Sequence, residues 1–165
     1  MGENSMSEGK VMDKDKILMV TVGLPKSGKS TWVDGFPKHH RGYQVVCADD
    51  IRLGMGFQFD RKMENFVWGV HDAMLLASLK RGLCVIVDGT NTTTASLTKY
   101  EKYATEYGYS FRIIFLNTPE DVCLERNVGK HVVPENVILR MSEQLSRLKN
   151  SNQWRQWEHN IYYVP

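Results

Sequence analysis

Five short apolar runs, at residues 17–22, 43–48, 84–88, 111–116 and 160–164, punctuate this chain and are separated by longer stretches with helical spacing. Within each run the apolar residues are largely continuous and rich in valine and isoleucine, where a strand with one wet face would alternate apolar with polar. Such strands are covered on both faces, and strands that alternate with helices build parallel sheets. Between the second and third runs, Met63, Phe66, Val67, Val70, Met74 and Ala77 recur at a helical period, and Gly82 supplies a terminator. Leu97, Tyr100, Ala104 and Tyr107 repeat the pattern ahead of Gly108, after which Thr118 reads as an N-cap with Pro119 in the first turn of the next helix. A last helix follows Pro134, gathers Val137, Met141, Leu145 and Leu148 on one face, and breaks at Asn150-Ser151-Asn152. The pattern predicts an α/β domain over residues 16–165, without internal repeats.

Composition narrows the picture only a little. Hydrophobic residues make up 42% and charged residues 24% of a 165-residue chain, as in an ordinary globular protein able to bury a real core. With 21 basic against 19 acidic residues the net charge is +2, so any basic surface must be local. Cys47, Cys84 and Cys123 fall in segments that read as buried strand or helix and lack metal or redox spacing, as reduced core thiols do. No run is long enough to span a membrane and no secretory leader is evident, which gives a cytoplasmic, membrane-free expectation. Residues 1–15 are polar and aperiodic, and read as a disordered leader or an expression remnant.

The chemistry begins where the first strand ends. Gly23-Leu24-Pro25-Lys26-Ser27-Gly28-Lys29-Ser30-Thr31 fits G-x-x-x-x-G-K-[ST] in full and follows the apolar run at 17–22. The glycines let the backbone curl so that amides face a polyphosphate, and the helix that follows adds the positive end of its dipole. Lys29 then supplies a mobile charge for β- and γ-phosphates, and the Ser30 hydroxyl is placed to ligand Mg²⁺. The whole nine-residue run is therefore the candidate nucleotide site.

In α/β sheets, ligands bind beyond the carboxyl ends of the strands. The second strand ends in Asp49-Asp50-Ile51-Arg52, where Asp49 suits a general base for an acceptor hydroxyl and Arg52 an anion clamp. The third ends in Asp88-Gly89-Thr90-Asn91. Asp88 suits either a Walker-B role toward Mg²⁺ or the orientation of Arg52, while Thr90 and Asn91 offer neutral hydrogen bonds to substrate or cap the next helix. Ser30, Asp49 and Asp88 make up the candidate metal set. Arg126, Lys130 and His131 gather around Gly129 between two helices, a segment suited to closing as a lid, with Arg126 and Lys130 reaching the nucleotide. Trp154 and Trp157 read as core-closing aromatics beside the last strand.

Taken together, the loop at 23–31, Asp49-Asp50-Ile51-Arg52, Asp88-Gly89-Thr90-Asn91, and Glu125-Arg126-Asn127 with Val133-Pro134 resemble the polynucleotide 5′-kinase family of P-loop phosphotransferases. That family includes bacteriophage and bacterial end-healing kinases, and a wider kinase group related to zeta toxins. The resemblance runs from about residue 17 to the end of the chain. It implies a three-layer P-loop NTPase fold, with a five-stranded parallel sheet, a helical lid and the phosphate loop on a central strand. It also implies ATP with Mg²⁺ and phosphorylation of a 5′-hydroxyl of DNA or RNA. Asp49 would be the base, Arg52 the contact to an acceptor-side phosphate, Asp88 the support of Arg52 or of metal-bound water, and Arg126 a lid residue over ATP. Members of that family carry a further lid arginine where this chain has Val128-Gly129-Lys130-His131, and a lysine offers a point charge in place of a planar fork. Two rival functions fit the same residues: a kinase of a small-molecule alcohol such as a nucleoside, nucleotide sugar or antibiotic, and a nucleotide-switched binding module.

Overall fold

A computed structural model describes residues 16–39, 42–56 and 59–165; the expected leader at 1–15 lies outside the described residues. The five strands are β1 (Ile17–Val22), β2 (Tyr43–Cys47), β3 (Cys84–Asp88), β4 (Ser110–Leu116) and β5 (Ile161–Val164). They form one sheet in the order β2-β3-β1-β4-β5, and every neighbouring pair is parallel. The helices are α1 (Lys29–His39), α2 (Ala48–Gly54), α3 (Glu64–Lys80), α4 (Thr94–Tyr107), α5 (Glu120–Glu125), α6 (Glu135–Lys149) and α7 (Asn152–Gln156). Ala48 opens α2 instead of ending β2, and Asn160 closes a 3-10 turn ahead of β5.

The central strand explains the layering. β1 is buried at every position, and its alternate residues feed two separate cores. Leu18, Val20 and Val22 join Leu75 and Leu79 of α3, Leu97 and Tyr100 of α4, and Leu145 and Leu148 of α6. Ile17 and Met19 face the other way, with Val33, Trp32 and Phe36 of α1. Burying each such large apolar side chain contributes about 1.5–3 kcal/mol, so the two sides hold the sheet from both faces. Trp154 and Trp157 close the first core against Phe115 and Phe111, as their place beside the last strand suggested.

Three local expectations are corrected. The buried stripe of α3 is Val67, His71, Leu75, Ser78 and Leu79, whereas Phe66 and Met74 are exposed and so is Ala77. The helix is apolar around most of its circumference, and its inner face includes a histidine and a serine that an apolar count passes over. Thr118 does not cap α5, whose N-cap is Pro119; its hydroxyl donates instead to the Ser27 carbonyl at 2.8 Å. Cys47 and Cys84 are only half-buried, and Cys123 alone of the three is fully buried. Other boundaries match: Gly108 ends α4 in the left-handed conformation, φ 74°, and Ser151 caps α7. Among the described residues no helix is long and apolar enough to cross a membrane.

Candidate active site

Register brings the strand ends together. Val20 pairs with Val87, and Cys47 pairs with Asp88, so the loop after β1 opens beside Asp88 and the start of α2. Thr21, the one polar residue of an otherwise apolar strand, locks this corner. Its hydroxyl lies 2.9 Å from the Gly89 carbonyl, to which it donates, and accepts the Gly89 N–H at 3.0 Å. The Thr21 carbonyl takes the Asn91 amide at 2.9 Å, and the Gly23 N–H donates to the Thr90 carbonyl at 3.1 Å. A polar residue breaking an apolar strand next to the phosphate loop was the visible signal of this role, and sequence reasoning passed it by.

The loop is shaped for an anion. A Cβ at Gly23 would lie 2.7 Å from Ser27 Oγ, closer than real side chains come, and 3.0 Å from the Leu116 carbonyl oxygen. Gly28 has φ 98°, which glycine adopts at no steric cost. The Trp32 N–H to Gly28 carbonyl bond, 3.0 Å, is the first rung of α1, so the amides just ahead of it have no helical partner. Lys29 is 8% exposed, and its ammonium folds back onto the Leu24 carbonyl at 2.6 Å and Ser27 Oγ at 3.3 Å. Burial pulls it down to about 8, against the opposing pull of Asp88. A buried cation resting on its own loop, beside unpaired amides, is a cradle that fits phosphate. A cleft of about 1250 Å³ runs from this cradle past Trp32, Asn117, Pro119 and Arg126 to Tyr163 and Pro165.

Burial pushes the Asp88 carboxyl above its ordinary range, while Lys29 and the Thr21 hydroxyl, 3.3 Å from Oδ1, oppose the rise. Among the described residues no group of three or more His, Cys, Asp or Glu forms a metal cage. Mg²⁺ does not need one: it keeps several waters and shares nucleotide oxygens, so the exposed Ser30 hydroxyl and a nearby carboxylate such as Asp88 are a fitting hard-oxygen donor set. Burial pushes the Cys47 thiol up to about 11, which makes it an inert neighbour of Asp88.

Beyond β2, Asp49 is 78% exposed while Arg52 is 12% exposed. Arg52 Nη1 meets Asp49 Oδ1 at 2.5 Å, and its Nε and Nη2 donate to Glu64 at 2.8 and 2.7 Å. Of the two roles open to Asp88, the support of Arg52 falls to Glu64, a residue not anticipated from sequence. Asp49 and Leu53 line a second cleft of about 270 Å³, with His131, Val132 and Val133 of the lid segment opposite. Thr90 contributes its carbonyl to the loop, and both ends of the Asn91 amide are used within the scaffold, one on Thr21 and the other on Ser96 Oγ at 2.7 Å.

The segment expected to act as a lid lies between α5 and α6 as a non-helical turn. Asn127 closes it by bonding both the Val133 carbonyl, 2.6 Å, and the Val133 N–H, 2.9 Å. Lys26, held at φ 68°, donates from Nζ to the His131 carbonyl at 2.6 Å, and Arg126 Nη1 lies 3.5 Å from the Lys26 carbonyl. Lys130 is exposed. The structure thus joins the phosphate loop, Arg126 and the lid turn, with Asp49 facing that turn.

The chain is similar to several known proteins. Residues 18–148 match the model of a family described as AAA domain. A protein described as a bifunctional polynucleotide kinase/RNA ligase, from Autographa californica nuclear polyhedrosis virus, is 26% identical over 131 residues, 70% of this chain and 18% of that protein. Adenylyl-sulfate kinase of Myxococcus xanthus is 32% identical over 119 residues, 68% of this chain and 63% of the enzyme. The chain therefore spans only part of each of these relatives. A chain in the structure of the Pnkp1/Rnl/Hen1 RNA repair complex superposes with a TM-score of 0.74 at 27% identity, covering 82% of this chain and 46% of that one.

Proposed function

The chain belongs to this AAA domain family, and we propose that it is a P-loop kinase that transfers the γ-phosphoryl group of ATP to a 5′-hydroxyl of DNA or RNA. The observation that carries the reading is the placement of Asp49 and Arg52. A pure ATPase has no need of an exposed carboxylate that is paired to a guanidinium, acts on the charge of Lys29 in the phosphate loop and lines a separate cleft beside residues 131–133. Asp49 takes the proton of the acceptor hydroxyl, and Arg52 holds an acceptor-side phosphate. Lys29 swings from the Leu24 carbonyl to the transferring phosphoryl group, and Arg126 adds charge from the lid. Mg²⁺, held by Ser30 and by Asp88 directly or through water, would neutralise charge on the donor phosphates. Incubation with labelled ATP and a 5′-OH oligonucleotide tests the reading: label on the oligonucleotide is expected, and none at any salt or pH would sink it.

A second reading, phosphorylation of a small-molecule alcohol, is favoured by the net charge of +2 and by the modest acceptor cleft of about 270 Å³. Salt separates the two. A polynucleotide acceptor displaces condensed counterions, so its KM rises steeply with ionic strength, whereas that of a small alcohol changes little.

A further inference from the structure

We propose that Glu64 is the positioning residue of the acceptor half: it fixes the Arg52 guanidinium so that one edge alone is presented toward Asp49. The inference rests on the kinase reading above, in which Arg52 meets the acceptor. Arg52 Nε donates to Glu64 Oε1 at 2.8 Å and Nη2 to Oε2 at 2.7 Å. Two parallel bonds between planar groups set the plane and the direction of the guanidinium together, which one bond cannot do. The remaining nitrogen, Nη1, is the one that meets Asp49.

Glu64 is itself well fixed. It is the first residue of α3, a 17-residue helix anchored in the core through Val67, His71 and Leu75. One turn on, Trp68 donates Nε1–H to Glu64 Oε2 at 3.2 Å, and the Phe59 ring lies 5.9 Å from the guanidinium carbon. The Arg52 and Glu64 side chains are only 12% and 19% exposed, so solvent screens their pair far less than it screens Asp49, which is 78% exposed. Bonding to Arg52 holds the Glu64 carboxyl below its ordinary range and keeps it ionised at neutral pH. Without this anchor nothing stops the guanidinium from turning both edges onto Asp49. The proposed base would then be captured by its neighbour, and the acceptor phosphate would lose its partner.

The test compares Glu64→Gln and Glu64→Asp with the parent protein, using ATP as donor and a 5′-OH oligonucleotide as acceptor. Gln keeps the shape and an acceptor for Trp68 but removes the charge; Asp keeps the charge on a shorter stem. Misplacement of a clamp by about an ångström costs up to a hundredfold. Glu64→Gln is therefore expected to lower kcat/KM for the oligonucleotide about ten- to a hundredfold, with the KM for ATP and acceptor-free ATP hydrolysis unchanged, and Glu64→Asp to recover part of the loss. A Gln variant with parental acceptor KM and kcat overturns the proposal, as does a melting temperature that falls while kinetics stay put, the mark of a mere staple between α2 and α3. Asp49→Ala separates the two levels of inference. If it kills transfer while Glu64→Gln is silent, only the positioning role falls. If Asp49→Ala transfers normally, the base assignment of Asp49 falls and takes this role with it; if the parent phosphorylates no oligonucleotide, the polynucleotide kinase reading itself falls.

Discussion

The donor half of the site and its proposed acceptor half are built by different means. The donor half is nine consecutive residues at the end of a fully buried strand, and its ligand-facing groups are mostly backbone amides set by glycine and by the start of α1. The acceptor half is side chains from separate elements: Asp49 and Arg52 from α2, Glu64 and Trp68 from α3, and the turn between α5 and α6. Backbone geometry at a strand-to-helix junction leaves little freedom, which suits a task common to many kinases. Side chains held by ion pairs can be exchanged one at a time, which suits a half that must choose its acceptor. Robustness to mutation should therefore differ between the halves, and so should the kinetic quantity that responds.

The widest separation is expected from Asp49→Ala. Loss of a general base costs about 10²–10⁴ in rate, and because Asp49 is exposed and belongs to the acceptor half, ATP affinity measured by calorimetry should stay at the parental value. Weaker ATP binding in this variant would break the division between halves. Lys29→Met is its counterpart. Removing a preorganised charge from the phosphoryl group costs about 10²–10³ in kcat, and here ATP affinity should fall as well. The same lysine sets a pH dependence. Burial holds it at about 8 in the free protein, so kcat/KM for ATP should drop about tenfold per unit above that pH. Stability moves in the opposite sense. The folded pKa lies below the unfolded value, so folding carries a penalty below pH 8 that is shed as pH rises from about 8 toward 10.5. Urea titrations should show the parent gaining on Lys29→Met across that window.

The same division governs what could be read from the chain alone. The phosphate loop was legible because each of its residue types answers a local constraint, and continuous apolar runs located the five strands to within a residue or so. Asp49, Arg52 and Asp88 could be placed at strand ends from the order of elements. Their partners could not. Glu64 stands 12 positions from Arg52 and reaches it only because α3 packs against α2, a tertiary fact without a local signature. Asp88, for which orienting Arg52 was one of two expected roles, interacts with Thr21 and Lys29. Thr118 has the residue type of a helix cap, yet the Ser27 carbonyl of the phosphate loop takes its hydroxyl.

Thr21 bears on both halves, since it ties the strand before the phosphate loop to the residues after Asp88, and the strand that ends in Asp88 pairs with β2, which leads into Asp49 and Arg52. Thr21→Val keeps the volume and removes the hydroxyl, leaving the Gly89 N–H without its acceptor in a site where Thr21 itself has no exposure. An orphaned buried donor costs about 1–3 kcal/mol, to be read in urea unfolding. Because the corner is shared, ATP affinity and acceptor KM should both worsen; a change in one alone would show that the halves are independent even here.

The smallest expected effect concerns a direct bond from the phosphate loop to the turn between α5 and α6. Lys26 reaches the His131 carbonyl from an unusual positive-φ backbone, and the turn it holds also lines the acceptor cleft. The side chain is long and the bond exposed, so its net worth is at the low end, about 0.5–1.5 kcal/mol. Lys26→Gln should raise the KM for ATP and for the acceptor by severalfold each, with kcat nearly unchanged, because Arg126 remains to supply charge from the lid. A loss confined to ATP would mark Lys26 as a phosphate ligand only. An equal rise in both would mean that filling the donor half also sets the roof of the acceptor half, so that the chemically separate halves communicate through this lysine.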